Sequence, residues 1–190
     1  MRMTTILSLS IAVFASVTLS ACSSSQDQHV EPAATNPGSV SQGVNAAAST
    51  NQFRAQVALH GAPVISADGK FIVVTVDLSN EGSALLETKG INPINLGAHL
   101  IDASGKMINN DLARAALPSP IASKNNSLVS INLPADKTLG YSAQILPVQE
   151  NVGWFDKWGT KPLVVGPFNA CGTKAQGEIC DASGKALLSQ

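Results

Sequence analysis

The chain has 190 residues, 12 Lys and Arg against 13 Asp and Glu, a formal net charge of −1 and only 13% charged residues. That balance lacks the clustered Lys and Arg whose counterion-releasing contacts hold nucleic acid, and the length suits one domain with a tether rather than two domains. Gly, Pro, Asn, Ser and Val are plentiful, which favours short strands joined by turns over helices.

Arg2 gives the N-terminus a positive charge, and Ile6 to Ala15 is an apolar run interrupted only by serines, too short to span a bilayer. Leu19-Ser20-Ala21-Cys22 then sets small residues before a cysteine. These residues resemble a bacterial lipoprotein signal. The resemblance implies removal of residues 1–21 and acylation of Cys22. Because Ser23 rather than Asp follows, it also implies sorting in a Gram-negative cell to the outer membrane, facing the periplasm. The membrane is then a partner through the lipid anchor alone. Residues 22–51, rich in Ser, Gln, Ala and Asn and without periodicity, read as a lipidated flexible linker whose reach as a coil is of the order of 30 Å.

With Cys22 assigned to lipid, Cys171 and Cys180 remain as an even pair in a compartment where disulfides form, so they are expected to bond and close a hairpin or tail over residues 169–190. His29, His60 and His99 are scattered, with no ligand-spaced pair, so no metal and no cofactor is expected.

Order is expected from residue 52 to residue 168. Phe53, Ala55, Val57 and Leu59 alternate with Arg54, Gln56 and Ala58 in the period of a half-buried strand. After the Ser66-Ala67-Asp68-Gly69 turn, Ile72, Val74, Val76 and Leu78 fall on one face of a second strand whose β-branched density argues against a helix. Ile94, Leu96, Ala98 and Leu100 mark a third, running into an Asp102-Ala103-Ser104-Gly105 hairpin turn with Lys106 to Ile108 returning. In this alternation His99 falls on the face opposite the core and is expected to look to solvent. Leu112 to Leu117 suits either a strand or a helical turn, and Pro118 and Pro120 stop it. Val129, Ile131 and Leu133 alternate before a Pro134-Ala135-Asp136-Lys137 turn, Tyr141 to Val148 gives a further strand, and Leu163 to Phe168 the last. The sum is an all-β fold, an immunoglobulin-like antiparallel β-sandwich of seven to eight strands. Tyr141, after Leu139-Gly140, resembles the tyrosine corner of such sandwiches, in which the hydroxyl bonds the backbone. The phrase Leu100 to Ile108 is echoed by Ile179 to Leu188, both readable as hairpins.

Ile91-Asn92-Pro93-Ile94-Asn95-Leu96-Gly97, Arg114-Ala115-Ala116-Leu117-Pro118 and Val148-Gln149-Glu150-Asn151-Val152-Gly153-Trp154-Phe155 carry a second resemblance, over about Lys70 to Val165. The chain is similar here to the β-sandwich modules appended to bacterial glycosyltransferases, methyltransferases and other proteins of surface polysaccharide. It departs from them at Leu85-Leu86-Glu87, where they carry Trp-Pro, and at Lys124-Asn125-Asn126, where they carry Pro-Gly.

Trp154, Phe155 and Trp158 fall within five residues of a chain only 4% aromatic, with Asp156, Gln149 and Glu150 beside them. Aromatic faces pack on a pyranose while carboxylates and amides bond its hydroxyls, so these six are the candidate ligand-binding residues. Glu150 and Asp156 lie in one loop, which does not make the cleft that paired carboxylates need for glycoside cleavage, and no nucleophile elbow is present, so no enzyme activity is expected. The reading is a non-catalytic adaptor module of a cell-envelope assembly, with an envelope protein as partner; the alternative is a module binding envelope or exported polysaccharide.

Overall fold

The computed structural model describes residues 52–172 and 178–190, so the signal over residues 1–21, the lipidation of Cys22 and the linker over residues 22–51 lie outside the described residues. Within them the protein is all-β. The strands are β1 (Ala55–Leu59), β2 (Val64–Ile65), β3 (Phe71–Asn80), β4 (Ile94–Ile101), β5 (Met107–Ala116), β6 (Asn126–Pro134), β7 (Ser142–Gln149), β8 (Gly153–Trp154), β9 (Leu163–Val165), β10 (Asn169–Cys171), β11 (Glu178–Cys180) and β12 (Leu188–Ser189). Among the described residues helix is confined to one turn, α1 (Ala135–Thr138), after β6 and a 3-10 turn at Phe155–Trp158.

β3 organises the first sheet. It pairs antiparallel with β6 from Phe71 to Ser79 on one side, while β1 and β2 divide its other side between them and β12 joins β2 in parallel. β4 organises the second sheet, between β5 and β7, and β8 and β9 divide the far side of β7 in the same manner. A separate two-stranded ladder, β10 with β11, is closed by the Cys171–Cys180 disulfide. Strict alternation along β3 leaves Ile72, Val74, Val76 and Leu78 with no exposed surface. Together with Leu96, Ala98, Ile131, Leu133, Ile145 and Phe168 they form one core fed by both sheets, each large side chain contributing about 2 kcal/mol by leaving water.

Beyond β3 the chain turns on Asn80, which has no exposed surface. Its Nδ2 donates to the carbonyls of Ala84 and Ile121 at 2.8 and 2.9 Å, and its Oδ1 accepts from Gly82 N–H at 3.0 Å, so the buried amide is satisfied and ties two connections together. The segment open to two readings, Leu112 to Leu117, is strand as far as Ala116, the end of β5. At the corner before β7 it is the backbone of Tyr141, not its hydroxyl, that bonds: its N–H donates to Thr138 and its carbonyl accepts from Phe168, both at 3.1 Å. The one-turn helix brings Thr138 close enough for the main chain to close the corner unaided.

The two echoed phrases fold alike. Asp102 Oδ1 accepts from Ser104 N–H and Oγ and from Lys106 N–H, and Asp181 Oδ1 accepts from Ser183 N–H and Oγ and from Lys185 N–H. Gly105 and Gly184 both take φ of 82°, a left-handed conformation that suits glycine. The serine hydroxyl first, then the lysine N–H, hold each aspartate below its usual carboxylate range.

Candidate functional site

The three clustered aromatics do not stay together. β8 pairs with the end of β7, Val148 opposite Trp154, and this sets the indole on the outer face of the second sheet, the face turned away from the core. One residue later the 3-10 turn carries Phe155 across the edge of the sheet into the core, where it is fully buried. Trp158 follows it inward, half-buried, with its ring 5.0 Å from Phe155 and 5.5 Å from Phe53. Thr160 Oγ1 accepts from Ala55 N–H at 3.1 Å and anchors this crossing to β1. Phe155 and Trp158 therefore plug the space between the sheets.

Trp154 instead lies among residues from other elements. Gly97, at the centre of β4, has no side chain to hold the indole away. The His99 ring is 3.8 Å from it, centroid to centroid, and the guanidinium of Arg114 lies over it at 4.3 Å. Arg114 also pairs with Asp111 at 2.6 Å and with Glu150 at 3.2 Å, and the same Glu150 oxygen accepts from Asn95 Nδ2 at 2.8 Å. The patch reads as a chain of contacts from His99 through Trp154, Arg114 and Glu150 to Asn95. Asp156 is exposed at the start of the 3-10 turn, near enough to His99 to act on its charge, and its Oδ1 caps Lys157 N–H at 2.9 Å. Gln149 stands opposite Ile94, on the core-facing side of β7, and takes no part.

His99 is only 5% exposed, a correction to its expected solvent-facing position. The alternation placed it on the outer face correctly, but that face is not open. Leu146 and Val148, its neighbours there, are also buried, so the outer face carries a small apolar layer of its own beneath Trp154. Its Nδ1–H donates to the Asn110 carbonyl at 2.7 Å. Burial, the largest influence, pushes the imidazole below its ordinary value of 6.5, the Asn110 bond and Asp156 opposing.

Of the six residues singled out in the sequence, Trp154, Glu150 and Asp156 share this patch, Phe155 and Trp158 belong to the core edge, and Gln149 is apart. Arg114, His99, Asn95, Asp111 and Gly97 complete it without having been marked for it. One signal pointed there: an isolated glycine within an apolar strand marks a close approach. Clefts of about 530, 510 and 500 Å³ open elsewhere, and none is lined by any of the six. Among the described residues no group of three or more His, Cys, Asp or Glu is placed to hold a metal ion. No protein-family model matches the chain, and no curated protein sequence matches it.

Proposed function

We propose that the chain is a non-catalytic adaptor of the cell envelope, an immunoglobulin-like sandwich of seven to eight principal strands carried on a linker from acylated Cys22 at the outer membrane and binding a protein partner. The observation that carries it is the Trp154–Arg114 stack on a rigid sheet. Trp and Arg are the side chains that concentrate binding energy at protein interfaces, and here both are held in place before any partner arrives. Arg114 already lies over one face of the indole, and Trp158 is committed to Phe53 and Phe155, which weighs against the polysaccharide reading.

A photo-crosslinking residue in place of exposed Asp111, in cells making the full chain, tests this. It is expected to yield one dominant protein adduct that Arg114→Glu abolishes. A smear of unrelated neighbours, or retention of the purified chain on a glycan array, counts against it. Mass spectrometry of the native material tests the anchor: an unmodified Cys22 behind an intact Met1 removes it.

A further inference from the structure

β1 and β2 share one side of β3, but what lies on their own outer side differs. β2 is covered by the chain's own C-terminus: β12 runs beside it in parallel, and Gln190 N–H donates to the Ile65 carbonyl at 3.0 Å. Among the described residues β1 has no such cover. His60 N–H donates to the Thr75 carbonyl and the Arg54 carbonyl accepts from Glu81 N–H, both at 2.9 Å, so the even-numbered residues of β1 bond β3. The N–H and C=O groups of Val57 and Leu59 therefore point away from it. Ala55 N–H, turned the same way, is taken by Thr160. The outward groups of Val57 and Leu59 have no hydrogen-bond partner among the described residues.

These groups open on the side of the fold where β9 is also paired on one side only. A cleft of about 530 Å³ separates β1 from β9, lined by Val57, Leu163 and Val164 and by Arg54 and Lys161. A second, of about 500 Å³, continues it past Leu59, 42% exposed, and Val164, 52% exposed. Glu81, at the same cleft, is engaged by Lys124 at 3.5 Å, while Arg54 and Lys161 have no ion-pair partner among the described residues.

We infer that the open edge of β1 is a docking site for an extended, acidic segment of a partner protein, which adds to the sheet as one more strand beside Val57 and Leu59. An uncapped row of main-chain donors and acceptors is a template for strand addition. β12 shows that this side of the sheet takes an added strand. The apolar surface of Leu59 and Val164 receives alternate side chains of the incoming strand, and the two free cations select carboxylates among the others. The edge of β1 belongs to the other sheet from Trp154, while β9 across the cleft belongs to Trp154's own sheet, and the site gives the proposed adaptor a second point of attachment.

The test uses the full chain with an acetylated octapeptide alternating valine and glutamate, and its valine–lysine counterpart, read by amide hydrogen exchange and by the anisotropy of labelled peptide. The glutamate peptide slows exchange at Val57 and Leu59 and binds about tenfold more tightly than the lysine peptide. Val57→Pro deletes an N–H that the β3 ladder does not use, so it abolishes binding while the circular dichroism of the sheet persists. Arg54→Glu with Lys161→Glu reverses the preference between peptides and serves if the proline variant fails to fold. No protection at Val57 and Leu59, equal affinity for the two peptides, or undiminished binding by folded Val57→Pro overturns the proposal. Loss of the Asp111 adduct with peptide binding intact refutes the Trp154 reading alone; the reverse outcome refutes this one alone.

Discussion

Replacing Gly97 with alanine probes whether Trp154 is seated as described. Gly97 stands between Arg114 of β5 and Leu146 of β7, and a Cβ built on it would lie 2.6 Å from Cη2 and Cζ3 of Trp154 and 2.9 Å from Nη1 of Arg114. Relieving those contacts requires about 1 Å of movement, since carbon atoms rest about 3.5–4.0 Å apart. The arginine tip can give; the indole cannot do so freely, being held by the β8 pairing and by His99. Removing a glycine from a strand favours the fold by roughly 0.5–1 kcal/mol. Overpacking opposes with about 1–3 kcal/mol, so it wins. Gly97→Ala is expected to destabilise by about 1 kcal/mol net and lower the melting temperature by roughly 4 °C. Trp154→Ala removes the obstacle. In that background the same alanine should be neutral or stabilising, and the difference between the two measurements is the coupling energy of the pair. A cost for Gly97→Ala that is the same with and without Trp154 would refute the packing argument.

Asn80→Ala removes three hydrogen bonds at once and leaves the Ala84 carbonyl without its partner, while the Ile121 carbonyl keeps Leu86 N–H and Gly82 N–H keeps the Arg54 carbonyl; it should cost about 2 kcal/mol, read as a fall in denaturation midpoint at constant slope, and a loss under about 0.5 kcal/mol would show the amide to be dispensable. His99 has its folded-state pKa below the unfolded value of 6.5, so the unfolded chain takes up the proton first. Stability from this residue is complete above pH 6.5 and is lost as pH falls below it, and melting curves between about pH 8 and 5 should show a decline that His99→Gln flattens. Reducing the Cys171–Cys180 bond, which joins residues nine apart, should release about 2–3 kcal/mol of constraint on the tail alone. Amide exchange should rise in β10 and β11 while the principal melting transition stays; a collapse of that transition would make the bond essential to the core.

The long strands were legible because β3 and β4 alternate over eight or more residues, long enough for the period to show. β2, β8 and β12 have two residues each and carry no period; they are strands because longer neighbours offer them an edge. β5 hides its character behind Asn109, Asn110 and Asp111, polar residues that a sheet edge tolerates and a pattern search discounts. At the site, adjacency in sequence misled: Trp154 and Phe155 are consecutive and so leave an extended backbone on opposite faces, one outward and one into the core. His99 failed for a related reason, since alternation assigns a face but says nothing of a tryptophan 55 positions later that lies across it.

The matched turns at Asp102 and Asp181 draw all their hydrogen bonds from within five consecutive residues. Each is thus a self-sufficient hinge piece, specified by its own short wording and indifferent to whether a long central ribbon or a brief terminal one leads into it. A chain built this way can lengthen or exchange the ribbons on either side without renegotiating the bend, and the body keeps its shape while its rims are free to diversify.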